Sequence, residues 1–450
     1  MDAARPDRPG PVQTTRRAGR RSDDFASSGR AEDARSYRLG SGRAVIVLSG
    51  ADLVLPDRII TSATLVIDAD RIVEIRPGVV SGRASSGEST PPFAFSNHYI
   101  VPGYIDVHVH GVGGVDVLDA SDAVGKVAGM LPQYGVTAFC PTTVACGPTA
   151  LRTILDQVRQ LREETAERCA RVLPAHLESN FISDDYRGAQ PAACLRSPQD
   201  AFDTSHAHHD DFTAGDILRE IERAAPDVGI VTIAPELDGG LDLVRWLSTR
   251  GHRASLGHSG AGYELAQEAI AHGARLATHL FNRMTPFSHR EPGLVGAILQ
   301  TDEVAAELIC DGFHVHPAVI RTAIAAKRPS RVLAITDATA AAGLPSGARA
   351  TLGGQPIRAG DSAAYLDDGT VAGGVMTMDR VFRTLVTRVG MSLVDAVAVC
   401  STTPARELGL VRHGVLAVEA VADLVILDAT FSVVQTYVAG RLAYSRLPAA

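Results

Sequence analysis

The stretch "PGYIDVHVHG", Pro102 to Gly111, decides the fold: it sets an aspartate and two histidines on alternate positions of an apolar run and ends it with glycine. Residues i and i+2 of a strand point to one side, so Asp106, His108 and His110 share a face and can offer two imidazoles to one cation. An ordinary strand with two hydrogen-bonded histidines has the same spelling. Spacing leaves both readings open, because H-x-H recurs at His206/His208 and His314/His316 in a chain with 15 histidines.

Working outward, short apolar runs alternate with helical patterns. Strands are expected at Tyr104 to Val109, Val136 to Cys140, Arg171 to Leu177, Gly229 to Ala234, Arg253 to Gly257, Arg275 to Leu280, Val304 to Cys310 and Arg331 to Thr336. Between them lie "DAVGKVAGMLPQY", "ALRTILDQVRQLREETAER", "AGDILREIERAA", "LDLVRWLSTRG", "YELAQEAIAHG" and "AVIRTAIAAKR", whose apolar positions recur at three and four. Eight such β/α units over about 250 residues have the size of a (β/α)8 barrel. Before and after it, "AVIVLSGADLVL", "ATLVIDADRIVEI" and "ADLVILDATFSVVQTYVAG" read as β-branched strands, so both chain ends are expected to build one small β domain. The expected organisation is a tail over 1–44, a β domain over 45–100 and 413–450, and an α/β barrel over 101–412. Arg76 to Asn97, rich in Ser, Gly and Pro, reads as a surface loop.

The polar residues fall where a barrel puts its chemistry. His108 and His110 end strand one, Glu178 follows strand three, His258 strand five, His279 sits near the end of strand six, His314 lies beyond strand seven and Asp337 follows strand eight. Active sites of such barrels are built at strand C-termini. Imidazole and carboxylate ligands suit Zn(II), Fe(II), Co(II) or Mn(II), in one catalytic site or two adjacent ones.

Composition narrows the class. No apolar run reaches 18 residues, so no membrane span is expected. The cysteines, Cys140, Cys146, Cys169, Cys194, Cys310 and Cys400, form no C-x-x-C pair, which fits a reducing cytoplasm. Ten arginines against six acids leave residues 1–44 near +4, and therefore the rest near −12 of a formal −8. An acidic body repels nucleic acid, so an anionic substrate needs a few placed cations. The first 44 residues have little to bury and read as disordered. Their paired arginines lack the apolar segment of an export signal.

"PGYIDVHVHG", "HLESNFIS", "LGHSGAGY", "THLFNRMTPFSHREPGLVGAIL", "ICDGFHVHP", "ITDATAAAGLP" and "GTVAGGVMTMDRV" together resemble, in order, the motifs of the N-acetylglucosamine-6-phosphate deacetylase family within the amidohydrolase superfamily. The resemblance implies a distorted (β/α)8 TIM barrel with a small β-sandwich, usually a homodimer, that removes acetate from an amino-sugar phosphate. It implies that Glu178, His258 and His279 hold the principal metal, and that His108, His110 and Asp337 complete a second site. It makes Asp337 the general base and then general acid, and His314 the group that polarises the acetamide carbonyl. For the sugar phosphate it points to Asn282 and to Arg290, the latter reaching into a neighbouring subunit.

The chain departs from that pattern in three places. Ser179 and Asn180 replace a Gly-Pro after the metal-binding glutamate, Gln190 replaces a substrate-contacting histidine, and Arg283 stands where a small residue is usual. The altered region keeps two rivals in view: a related amidohydrolase acting on another N-acetylated sugar or an N-acyl amino acid, and a catalytically silent barrel that only binds. His206, His208 and His209 are expected in a solvated loop, His176 in packing, Glu236 in support of the site or on the surface, and "GLVGAIL" is no phosphate loop because it lacks the Gly-Lys-Ser/Thr ending.

Overall fold

The computed structural model describes residues 45–80, 93–119, 122–164, 167–202 and 211–447. Residues 1–44, part of the loop expected over 76–97, and His206, His208 and His209 lie outside the described residues.

Eight parallel strands form the centre: β1 (Tyr104–Val109), β2 (Val136–Thr143), β3 (Ala175–Leu177), β4 (Val228–Ile233), β5 (Arg253–Leu256), β6 (Leu276–Ala277), β7 (Ala305–Ile309) and β8 (Val332–Ile335). Each pairs with the next, and a bridge between Val109 and Ala338 closes the ring. Every strand residue except Arg253 is buried, which is why these segments read as continuous apolar runs rather than alternating ones. Ile105, Val107, Ile230, Ile309, Leu333 and Ile335 pack in the core between them.

Asp106 completes the seam. Thr336 Oγ1 donates to Asp106 Oδ2 at 2.5 Å, so the first strand's acid ties it to the end of the last strand rather than joining the histidines. Burial pushes the Asp106 carboxyl up to about 7, against the hydrogen bonds from Thr336 and from the His108 amide.

Two strands differ from expectation. Strand three is interrupted: Arg171–Val172 pairs with β2, then the chain passes Leu173 and Pro174 before β3 begins, and Pro174 has no N–H to continue a ladder. Strand six stops after Ala277, because the chain turns at His279 into the left-handed region with φ 27°.

All six expected helical stretches contain helices. The longest, Pro148–Glu163, has Pro at its first turn and buries Leu151, Ile154, Leu155 and Val158, the spacing of one helical face. "GLVGAIL" lies in the helix Gly293–Gln300, most of which is buried, so it has no amphipathic period to read.

Both chain ends meet in one sheet ordered Arg441–Ser445, Val433–Val438, Leu424–Leu427, Tyr99–Pro102, Ile46–Val54, Ile59–Asp68 and Arg71–Pro77, with Phe93–Ala94 beside Ile46–Val54. Leu48, Leu65, Ile100, Leu424 and Ile426 share its buried cluster. A second antiparallel sheet, Arg349–Leu352, Gln355–Ala359, Ala363–Leu366 and Val371–Gly374, was not expected from the sequence. Its first hairpin turns on Gly353 and Gly354, with φ 56° and 80°, the two positive values that a tight two-residue turn requires. A bridge from Gly374 to Ala338 joins this sheet to the barrel seam.

Replacing Thr336 by Val strips a buried carboxylate of its closest donor. Thr336→Val should lower unfolding free energy by about 1–3 kcal/mol in denaturant titrations, the cost of a buried polar group left short of a partner. Unchanged stability would remove Asp106 from the closure.

Candidate metal centre and active site

Glu178, His258 and His279 meet just past the ends of β3, β5 and β6. His258 Nε2 lies 2.9 Å and His279 Nε2 2.8 Å from Glu178 Oε1, and the two nitrogens are 3.1 Å apart. His108 Nε2 and His110 Nε2, 3.2 Å from one another, stand 3.6 and 3.5 Å from the same carboxylate. Asp337 Oδ1 is 3.3 Å from each of those two nitrogens. The six predicted ligands therefore form two adjacent groups around a shared Glu178, and all six are buried.

Local backbone delivers them. His258, His279 and Asp337 adopt φ of 49°, 27° and 50° at the places where their strands end. Left-handed backbone costs a non-glycine residue about 1–2 kcal/mol, a strain that the surrounding structure must hold. Beside Asp337, Gly374 donates its N–H to Asp337 O at 2.7 Å, and a Cβ there would come within 2.3 Å of Thr336 O. Only glycine allows that approach.

Three of the four far ring nitrogens are fixed in turn, and His279 Nδ1 has no hydrogen-bond partner among the described residues. His258 Nδ1 donates to Tyr186 O at 2.8 Å, His110 Nδ1 to Thr142 O at 3.1 Å and His108 Nδ1 to Glu307 Oε2 at 2.9 Å. Each bond places the hydrogen on Nδ1 and leaves the Nε2 lone pair facing the cluster. Beneath it runs a buried polar layer: His176 Nε2 bonds Thr232 Oγ1 at 2.9 Å, Thr232 bonds Thr278 at 2.9 Å and Thr278 bonds Ser255 at 2.6 Å.

The donor set fits a divalent cation. Contacts of 2.8–3.2 Å among buried N and O atoms are the edges expected when each ligand sits about 2.0–2.2 Å from a common centre. Burial pushes the His108 imidazole down to about 3. For His279 burial acts the same way, but the hydrogen bond and charge of Glu178 win and lift it to about 9. Burial opposes ionised Glu178, yet the charge and hydrogen bond of His258, with those of His279 and His108, hold it well below the ordinary glutamate value. The cluster keeps its carboxylate ionised and draws positive charge inward, the setting that a metal ion satisfies.

The cluster, His108 apart, lines a cavity of ≈ 540 Å³. His314, Asn282 and Gln190 line it too. His314 Nδ1 donates to Asp311 Oδ2 at 2.6 Å, and its Nε2 has no hydrogen-bond partner among the described residues. Asn282 Nδ2 donates to His279 O at 3.3 Å. Gln190 is held twice, its Nε2 donating to Glu178 Oε2 and its Oε1 accepting from Ala145 N at 2.7 Å. Arg290 does not line the cavity; it lies exposed on the segment between β6 and the helix Gly293–Gln300.

Residues 99–443 match the profile of the Amidohydrolase family. The chain belongs to that family. The N-acetylglucosamine-6-phosphate deacetylase of Danio rerio is 37% identical over 364 residues, 78% of this chain and 85% of the relative. That of Bacillus subtilis (strain 168) is 35% identical over 350 residues, 77% of this chain and 84% of the relative. A solved structure of a mutant N-acetyl-D-glucosamine-6-phosphate deacetylase from Mycobacterium smegmatis, in complex with N-acetyl-D-glucosamine-6-phosphate, has a TM-score of 0.78 at 30% identity, covering 90% of this chain and 100% of that one.

Ser179 and Asn180, the two residues after Glu178, are both held by side-chain hydrogen bonds. Ser179 Oγ donates to Thr232 O at 2.5 Å and accepts from Phe181 N at 3.0 Å. Asn180 Nδ2 donates to Cys146 O and Cys194 O, both at 2.8 Å. Side-chain bonds thus brace this loop behind Glu178. The neighbouring polar residues are engaged as well: both ring nitrogens of His176 are taken, by Val107 O and Thr232, and Glu236 accepts from Ser259 Oγ and Gly260 N at 2.7 and 2.6 Å, bracing the loop after His258. Burial raises the Cys194 thiol, which suits no nucleophile.

Sequence reasoning missed Glu307, Tyr186 and the hairpin residues Leu352, Val371, Ala372 and Gly373 that wall the cavity. Glu307 left a trace, an acid inside the apolar run "AAELIC". Tyr186 left none, since it acts through its backbone carbonyl.

Purified protein should contain one or two equivalents of divalent metal by elemental analysis. Glu178→Ala and His279→Ala should each lower bound metal by about tenfold or more under the same dialysis, because the shared ligand set is broken. His176→Ala should retain it. Wild-type metal content in either ligand variant would exclude that residue from the centre.

Proposed function

We propose that this protein hydrolyses the acetamide of N-acetylglucosamine 6-phosphate to glucosamine 6-phosphate and acetate. The observation that carries the reading is the convergence of four buried imidazoles on Glu178, with Asp337 beside two of them, at a sugar-sized cavity in which His314 Nε2 is unpartnered. We assign Glu178, His258 and His279 to the principal metal and His108, His110 and Asp337 to a second, with zinc foremost and iron, cobalt or manganese as alternatives. A cation bound there supplies Lewis-acid charge and lowers the pKa of water from about 15.7 to about 7.

Asp337 then does the proton work. Burial opposes its charged form, but the neighbouring imidazoles of His110 and His108 hold its pKa below the ordinary value. It takes a proton from the attacking water and returns it to the amine nitrogen as the C–N bond breaks. His314, oriented by the contact of its Nδ1 with Asp311, is assigned to polarise the acetamide carbonyl as its oxygen gains charge. Asn282 and Gln190 border the sugar.

Arg290, exposed in this subunit, is assigned to the phosphate in the neighbouring site of a homodimer. Six cysteines free of disulfides support a cytoplasmic enzyme. Among the described residues no helix is long and apolar enough to cross a membrane. A second reading, a related amidohydrolase acting on another N-acylated sugar or an N-acyl amino acid, is favoured by Gln190, whose amide is engaged by Glu178 and Ala145. With all six ligand positions filled, nothing favours a silent barrel.

Acetate release from a panel of acetylated sugars and acyl amino acids, before and after chelation and metal restoration, tests the assignment. N-acetylglucosamine 6-phosphate should be turned over best, and Asp337→Asn should lower kcat by about 10²–10⁴-fold. Preference for an N-acyl amino acid would replace this reading with the second.

A further inference from the structure

The cavity wall carries two guanidinium groups from within one subunit, Arg187 and Arg283. Arg187 is already matched, its Nη1 donating to Asp184 Oδ1 at 2.6 Å. Arg283 has no ion pair and no side-chain hydrogen bond among the described residues. Its backbone is nevertheless fixed: Ser259 N donates to Arg283 O at 3.0 Å, and Ser259 and Met284 form a parallel bridge. The residue holds φ 52°, which an arginine does not adopt for its own sake.

Space for the side chain is made by a glycine. A Cβ on Gly188, itself at φ 63°, would lie 2.7 Å from Arg283 Nε and 3.2 Å from its Cζ. The guanidinium therefore lies across a bare Cα at the cavity wall, four residues after the ligand His279 and next to Asn282. Asp185 also lines the cavity, so an anion would be repelled there and drawn to the Arg283 side.

We propose that Arg283 holds the 6-phosphate of the substrate from within the same subunit, alongside the Arg290 assigned above, and so sets the preference for phosphorylated sugar. The inference rests on the phosphosugar reading. An unpaired guanidinium fork offers two parallel N–H donors to phosphate oxygens, and a charge-assisted contact of that kind strengthens binding by about tenfold or more. Arg283 is thereby a binding residue, remote from the bond that breaks.

Steady-state kinetics of wild type, Arg283→Ala, Arg283→Lys and Arg187→Ala on N-acetylglucosamine 6-phosphate and on unphosphorylated N-acetylglucosamine, with metal content measured for each, provide the test. Arg283→Ala should raise KM for the phosphosugar by about tenfold or more, with most of the loss in KM rather than kcat. The unphosphorylated sugar should suffer about tenfold less, Arg283→Lys should recover part of the loss, and inorganic phosphate should inhibit the Ala variant more weakly. Equal losses on both sugars, an unchanged KM, or a KM effect confined to Arg187→Ala would overturn the assignment while leaving the phosphosugar reading intact. If wild type prefers the unphosphorylated sugar, both fall together.

Discussion

A nearly buried carboxylate sits at the middle of this protein, and four imidazoles surround it. Glu178 Oε1 is within 2.8–3.6 Å of His279, His258 and His108, and Oε2 within 3.5 Å of His110. Removing such a charge from water costs several kcal/mol that only close, oriented partners offset. Those partners come from β1, β5 and β6, so the register of the barrel has to hold to within a fraction of an ångström. The buried layer of His176, Thr232, Thr278 and Ser255 below, and the carbonyls of Tyr186 and Thr142 beside it, supply that rigidity.

Closure of the barrel and completion of the site are the same event. Asp106 reaches Thr336 across the seam, Val109 bridges Ala338, and Gly374 binds back to Asp337. The pair His108 and His110 lies on one side of that seam and Asp337 on the other, at 3.3 Å from both imidazoles. Asp337 can therefore meet its partners only in a closed barrel. Three of the candidate ligands carry left-handed backbone, a cost held where a side chain is turned inward at a strand end.

Much of this was legible in the sequence. The strand runs were visible because parallel strands buried on both faces must be apolar throughout, and the clustered histidines and acids because polar residues ended those runs. Legibility failed where the signal is carried by something other than side-chain polarity. Pro174 breaks strand three through a missing N–H, and Tyr186 orients His258 through a carbonyl. The hairpins of 349–374 are short and small-residued, with only "LGGQ" and "DDGT" to mark their turns. Gln190 stood as a substrate contact by resemblance; in the structure its amide is hydrogen-bonded to Glu178, which no spacing between positions 178 and 190 encodes.

The most direct test of the central claim is anomalous diffraction from crystals of the metal-loaded enzyme, collected on either side of the bound metal's absorption edge. A peak should lie about 2.0–2.2 Å from a Glu178 oxygen, His258 Nε2 and His279 Nε2, with any second peak bounded by His108, His110 and Asp337. A metal-loaded, active crystal whose anomalous peak lies away from Glu178 would contradict that claim.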